Sequence, residues 1–177
     1  QRNTNSSIDQ ALSRGEAIQK MCQKHNKKMV MYIAMGFGNP YGDPFHEDVV
    51  AKWIEKLTQF DLSIFALSDT IGVSKPEIIT RLFSTLLQEY PKTEIGAHFH
   101  TTPDTWKEKV EAAYKSGCTR FDGAILGYGG CPMAADDLTG NMATENLVNY
   151  FDNNNVDLGL DTENFAAAKA AAGAVFL

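Results

Sequence analysis

Cysteine is scarce in this chain: Cys22, Cys118 and Cys131 are the only three in 177 residues. A sparse, odd-numbered set in a chain of ordinary size excludes a disulfide framework and points to reduced thiols. Basic residues are outnumbered, 16 Lys and Arg against 22 Asp and Glu for a net charge of -6, and they cluster only at Lys24 to Lys28. Nucleic acid and anionic membrane are thereby excluded as main partners, because either requires concentrated Lys and Arg. No apolar run approaches the roughly 18 residues of a membrane span. Gln1 to Asn5 carries no apolar signal-peptide core, so a cytoplasmic chain is expected. G-x-G-x-x-G, a Walker lysine, C-x-x-C, H-E-x-x-H and G-x-S-x-G are all missing, which takes away the usual nucleotide, zinc and serine-hydrolase readings.

What is present is apolar patterning. Hydrophobic residues make up 44% of the chain, enough for a sizeable core in one globular domain over residues 1–177. Ile8, Ala11, Leu12, Ile18, Met21 and Cys22 recur at helical spacing and predict one buried stripe on a first helix, capped at Ser6. Met29 to Met35 is a short continuous apolar run, the pattern of a strand buried on both faces. Asp43-Pro44 predicts the start of a second helix carrying Val49, Val50, Trp53, Ile54 and Leu57. Leu62 to Leu67 predicts another strand, and Ser74 with Glu77 a capping box for the helix that follows. After the strand at Ile95 to His100, Thr102 with Pro103 predicts a cap. Arg120 to Leu126 predicts a fourth strand, then come a glycine-rich loop, a helix from about Thr144, and an alanine-rich helix capped by Asp161.

Helices alternating with short buried strands call for a parallel sheet with right-handed crossovers. An open doubly wound sheet and a (β/α)8 barrel both fit. The missing nucleotide fingerprint disfavours the first, and four βα units amount to about half of a barrel of eight strands. The expectation is an α/β fold: the C-terminal half of a TIM barrel, with parallel strands inside, helices outside and the N-terminal strands absent.

His98 and His100 end the third strand one residue apart. Alternation puts both side chains on one face, with roughly 7 Å between Cα atoms, a spacing that suits two ligands of one metal ion. Two structural histidines would read the same way. Asp69 follows an apolar strand and reads as a general acid or base, a partner behind a metal ligand, or an ordinary loop aspartate. Cys131 lies in Gly127-Tyr128-Gly129-Gly130-Cys131-Pro132, where glycines permit close backbone approach to a ligand and the thiol is a candidate acid, base or nucleophile. Asn141 offers either a helix cap or an amide oxygen for a metal. Two imidazoles and an amide oxygen suit an octahedral Mg2+ or Mn2+ better than a closed tetrahedral zinc site.

Ser68-Asp69-Thr70-Ile71-Gly72-Val73, His98-Phe99-His100, Gly129-Gly130-Cys131-Pro132 and Gly140-Asn141-Met142-Ala143-Thr144-Glu145 together resemble the 3-hydroxy-3-methylglutaryl-CoA lyases, metal-dependent enzymes on a TIM barrel. The resemblance runs over nearly the whole chain. It implies a retro-Claisen cleavage of 3-hydroxy-3-methylglutaryl-CoA to acetoacetate and acetyl-CoA, with an acyl-CoA as the bound partner. It further implies His98, His100 and Asn141 as ligands of Mg2+ or Mn2+, and Cys131, Asp69 and His98 as the catalytic residues. Thr101-Thr102-Pro103-Asp104 departs from the family pattern, which continues H-x-H with an acidic residue and Tyr-Gly. The family's Arg-Asp-Gly segment and early-strand glutamate are also missing, so the isolated chain is expected to be inactive. Two other readings stay open: an acyl-CoA-condensing synthase or carboxylate-processing relative on the same barrel, and a non-catalytic half barrel that self-associates as a homo-oligomer.

Overall fold

In a computed structural model the described residues are 5–130, 134 and 139–176. In chain order the elements are α1 (Ile8–Lys24), β1 (Met31–Ile33), α2 (Glu47–Thr58), β2 (Ile64–Asp69), α3 (Pro76–Glu89) and β3 (Glu94–Thr101). They continue with α4 (Trp106–Lys115), β4 (Phe121–Asp122), a single 3-10 turn (Ile125–Gly127), β5 (Gly140–Asn141), α5 (Thr144–Asn153) and α6 (Thr162–Phe176). Strands β1 to β4 lie side by side in sequence order, each pair parallel, which is what repeated βα units produce. The short β5 runs antiparallel to the end of β3.

Alternation along the strands separates two faces. Phe65, Leu67, Ile95, Ala97 and Phe99 point into a core with Ile54 of α2, Ile79, Leu82, Phe83 and Leu86 of α3, and Val110 and Ala113 of α4. The registers Ser68↔His98↔Asp122 and Tyr32↔Ala66↔Gly96 set the opposite, inner face. That face is curved. The Tyr32 hydroxyl donates to Asp122 Oδ2 at 2.6 Å, although a flat sheet would hold β1 and β4 about 14 Å apart, at about 4.8 Å per strand pair.

Several local expectations are corrected. Most of the predicted stripe of α1 faces outward: Ile8, Ile18 and Met21 are 60%, 44% and 62% exposed, and of its residues Leu12 packs on the core. The packed side of α1 is Leu12, Gly15 and Gln19, because the Gln19 amide donates to the Asp61 carbonyl at 2.8 Å and Gly15 sits against Met31. Helix α1 is capped by Ser7, in a capping box with Gln10, rather than by Ser6. Helix α2 begins at Glu47, not at Pro44, and His46 Nδ1 accepts from the Asp48 amide as its cap. Strand β1 is not buried on both faces, since Tyr32 is exposed. The Ser74–Glu77 capping box does not form; Lys75 is the cap residue and Ser74 is turned to other use. Helix α4 starts at Trp106, with Thr102 and Thr105 bonded to each other before it. The Asp161 cap of α6 is as expected, accepting from the Asn164 amide at 2.9 Å.

Strand β4 is far shorter than Arg120 to Leu126. The chain leaves the sheet at Gly123, where a Cβ would stand 3.0 Å from the Met142 carbonyl, and turns through Leu126 and Gly127, both in the left-handed region. The edge of β3 beyond His98 is thus left open, and β5 occupies it. Among the described residues no helix is long and apolar enough to cross a membrane.

Candidate metal site at the strand ends

His98 and His100 project from β3 on the inner face, as alternation predicts, with ring centroids 5.4 Å apart. Neither Nδ1 has a hydrogen-bond partner although both are buried. Buried polar atoms in folded proteins nearly always have partners, so two adjacent orphans mark a place built for a ligand. Burial holds both imidazoles below the usual histidine pKa, with His100 adding to the effect on His98 and Lys109 to that on His100. Asp122 pulls His98 the other way, as Asp69 and a hydrogen bond to the Asn141 side chain do for His100. A neutral imidazole is the form that gives its lone pair to a metal.

Asn141 is brought to these histidines by β5, where it pairs directly with His100. It caps no helix; α5 starts three residues later behind Ala143. Its Nδ2 donates to the Tyr128 carbonyl at 2.8 Å and its backbone N–H to the Gly129 carbonyl at 3.0 Å. The glycines of this loop serve that contact. A Cβ on Gly129, whose φ is +85°, would lie 2.9 Å from Asn141 Nδ2. The close backbone approach expected toward a ligand is therefore first an approach to Asn141. Cys131 lies outside the described residues.

Asp69 is not brought to the site. It ends β2 opposite Phe99, on the outer face, while its neighbour Ser68 is the residue level with His98. Its carboxylate, 1% exposed, accepts from the Val73 amide (2.8 Å), the Ser74 amide (3.1 Å), the Ser74 hydroxyl (2.6 Å) and Lys109 Nζ (2.7 Å). An aspartate so occupied orders the β2–α3 loop. Ser74 is spent here rather than on a capping box.

The inner face holds residues that sequence reasoning passed over. Arg120 pairs with Asp122 at 2.9 Å and Glu94 at 3.3 Å, Asp122 Oδ2 lies 3.8 Å from His98 Nδ1, and the Tyr32 ring meets His98 edge-on. The signal was there: Arg120 and Asp122 alternate with apolar Phe121, the mark of a polar inner face. Lys109 was legible too, as a lysine inside the apolar stripe of Trp106, Val110 and Ala113. Among the described residues no group of three or more His, Cys, Asp and Glu side chains could hold a metal. Beside Asn141 opens a cleft of about 220 Å³, whose lining includes Thr101, Thr102, Pro103 and Asn146.

The chain is 31% identical over 167 residues to a hydroxymethylglutaryl-CoA lyase of Bacillus subtilis, covering 94% of this chain and 56% of that protein. The crystal structure of a Bacillus subtilis HMG-CoA lyase superposes with a TM-score of 0.87 at 31% identity, over 96% of this chain and 56% of that one. An HMG-CoA lyase of Acinetobacter baumannii, solved with coenzyme A and 3-methylmalate, superposes at 0.83 and 27% identity, over 97% and 56%. The fold is thus an α/β fold like that of the HMG-CoA lyase barrels, and the chain spans about half the length of these relatives. The shares covered do not assign it to one end, and the C-terminal placement expected above is reduced to that coarser statement. The family model described as HMGL-like matches residues 1–171, and the chain belongs to that family.

Proposed function

We propose that this chain carries part of the active site of a lyase that cleaves 3-hydroxy-3-methylglutaryl-CoA to acetoacetate and acetyl-CoA. The observation that carries the reading is the pair of adjacent inner-face imidazoles with orphaned Nδ1 atoms, paired through β5 with Asn141. His98, His100 and Asn141 are the residues that would hold the divalent ion, Mg2+ or Mn2+. Bound there, such an ion supplies Lewis acidity that lowers the pKa of a substrate hydroxyl and offsets developing negative charge.

The chain's own groups have three tasks. Burial keeps His98 and His100 neutral and ready to coordinate. The cleft beside Asn141 receives the acyl end of the substrate, and Thr101 to Pro103, where this chain departs from the family pattern, line it and set its specificity. For the carbon–carbon bond to break, the tertiary hydroxyl gives its proton to solvent water acting as base, and the acetyl-CoA enolate released needs a proton in turn. Cys131 is the donor proposed for that step. The proposal does not use Asp69, because its oxygens are committed on the other face of the sheet.

The test is titration with Mn2+, followed by the loss of free-ion signal, for the parent chain and for His98→Ala and His100→Ala. One site in the parent that is lost in both variants supports the reading; a parent that binds no Mn2+ overturns it. Release of acetyl-CoA, compared between the parent and Cys131→Ala in a version of full family length, separates a lyase from a condensing synthase, which has no need of the thiol.

A further inference from the structure

Lys109 is a charged side chain that the proposed chemistry leaves unused, and it is buried as deeply as any core residue. It stands on α4 with 1% of its side chain exposed, and its partner Asp69 is equally buried. An ammonium has three protons to donate. Here all three find acceptors: Asp69 Oδ2 at 2.7 Å, the Gly72 carbonyl at 3.0 Å and the His100 carbonyl at 3.1 Å. No donor is left for a substrate, so the ammonium holds structure in place.

Its three acceptors belong to the carboxyl end of β2, the β2–α3 loop and the carboxyl end of β3. They converge where the parallel ladders give out, β3–β4 after His98 and β2–β3 after Phe99. Beyond those registers, among the described residues, the His100 backbone is held by the two-residue strand β5 and by Lys109 from the outer face. Gly72, with φ of +73°, turns its carbonyl to the same ammonium, and a Cβ there would lie 3.5 Å from the His100 carbonyl. A buried ion pair adds little net stability compared with an apolar pair of similar shape, but it fixes direction, because each charge-assisted hydrogen bond is angular.

We propose that Lys109 is the positioning residue of the site: by clamping the His100 carbonyl to Asp69 and Gly72 it sets the direction of the His100 imidazole, and through the β3–β5 pairing that of Asn141. The inference rests on the metal-holding role proposed above, but its decisive test does not. Lys109→Met alone leaves Asp69 charged, buried and unpaired and is open to misfolding, so the informative variant is Asp69→Asn/Lys109→Met, which removes both charges. Long-range proton–nitrogen spectra of the imidazoles, recorded on the metal-free full chain, read the two histidines separately, with His98→Gln supplying the assignment. The expected result is a folded double variant whose His100 ring signals shift or broaden while those of His98 stay put, together with Mn2+ affinity at least about tenfold lower, the scale on which partners behind metal ligands act. An unchanged His100 spectrum in the folded double variant overturns the inference, whatever Mn2+ does. A shifted His100 in a chain that binds no Mn2+ upholds the clamp and defeats the metal reading instead.

Discussion

Tyr32 and Asp122 stand on the first and fourth parallel strands, and yet the Tyr32 hydroxyl reaches the Asp122 carboxylate at 2.6 Å. That bond spans the concave side of the sheet and passes over the strand that carries His98. Tyr32→Phe removes the donor while keeping the ring against His98. Tyr32 is nearly half exposed, so the cost is expected below that of a buried hydrogen bond to a charged group, at about 0.5–1 kcal/mol. Denaturant unfolding at neutral pH measures it, and a loss above about 2 kcal/mol would mean that the bond holds more than its own two ends.

Gly96 gives Arg120 its path across the inner face. A Cβ there would stand 2.9 Å from both the Arg120 carbonyl and its guanidinium. Gly96→Ala is expected to cost about 1–3 kcal/mol, as overpacking does. It should also free Arg120 from Asp122, since the side chain can yield where the carbonyl cannot. Thermal unfolding reads the first effect; a stability equal to the parent's would show that β3 and β4 can part without penalty.

Asp69→Asn discriminates between the two roles considered for this residue. Without its carboxylate Lys109 is left charged and buried, a change expected to cost about 3–5 kcal/mol. Unfolding midpoints should fall accordingly. A variant of parental stability that loses only turnover would point to the acid–base role instead.

Cys118 is fully buried and its thiol is pushed up to about 12 by burial. The ordinary value of a cysteine thiol free of the fold is taken as 9.0. A pKa raised by folding means that native structure favours the protonated thiol. This contribution is complete below about pH 9 and is lost as pH rises toward 12. Cys118→Ala should therefore flatten the alkaline end of the stability profile. In the native chain Cys118 should resist iodoacetamide at pH 8 and react only in denaturant, with peptide mapping as the check; Cys22, a partly exposed free thiol, should react without it.

The pattern of the chain foretold a good deal for plain reasons. Continuous apolar runs announced β2 and β3, and helical spacing announced the buried sides of α2 and α3, because burial on a two-residue or 3.6-residue period leaves a trace in the sequence itself. Alternation alone put His98 and His100 on one face. The same reasoning failed on α1, where the apolar spacing was real but the contact made by Gln19 turned the helix. It also failed on β4, because nothing local in Arg120 to Leu126 shows that the chain departs at Gly123 to admit a strand from residues 140–141.

That helices alternate with buried strands, and that two histidines look the same way, the sequence determined by itself, since both follow from the geometry of consecutive residues. Which way they look was decided only by the tertiary structure. Asp69 and His98 each stand near the carboxyl end of a strand, but a register that sets Ser68, not Asp69, level with His98 sends the aspartate outward to Lys109 and the histidine inward. A one-residue difference in pairing reverses the face of every side chain, and pairing is made between segments that the sequence keeps far apart.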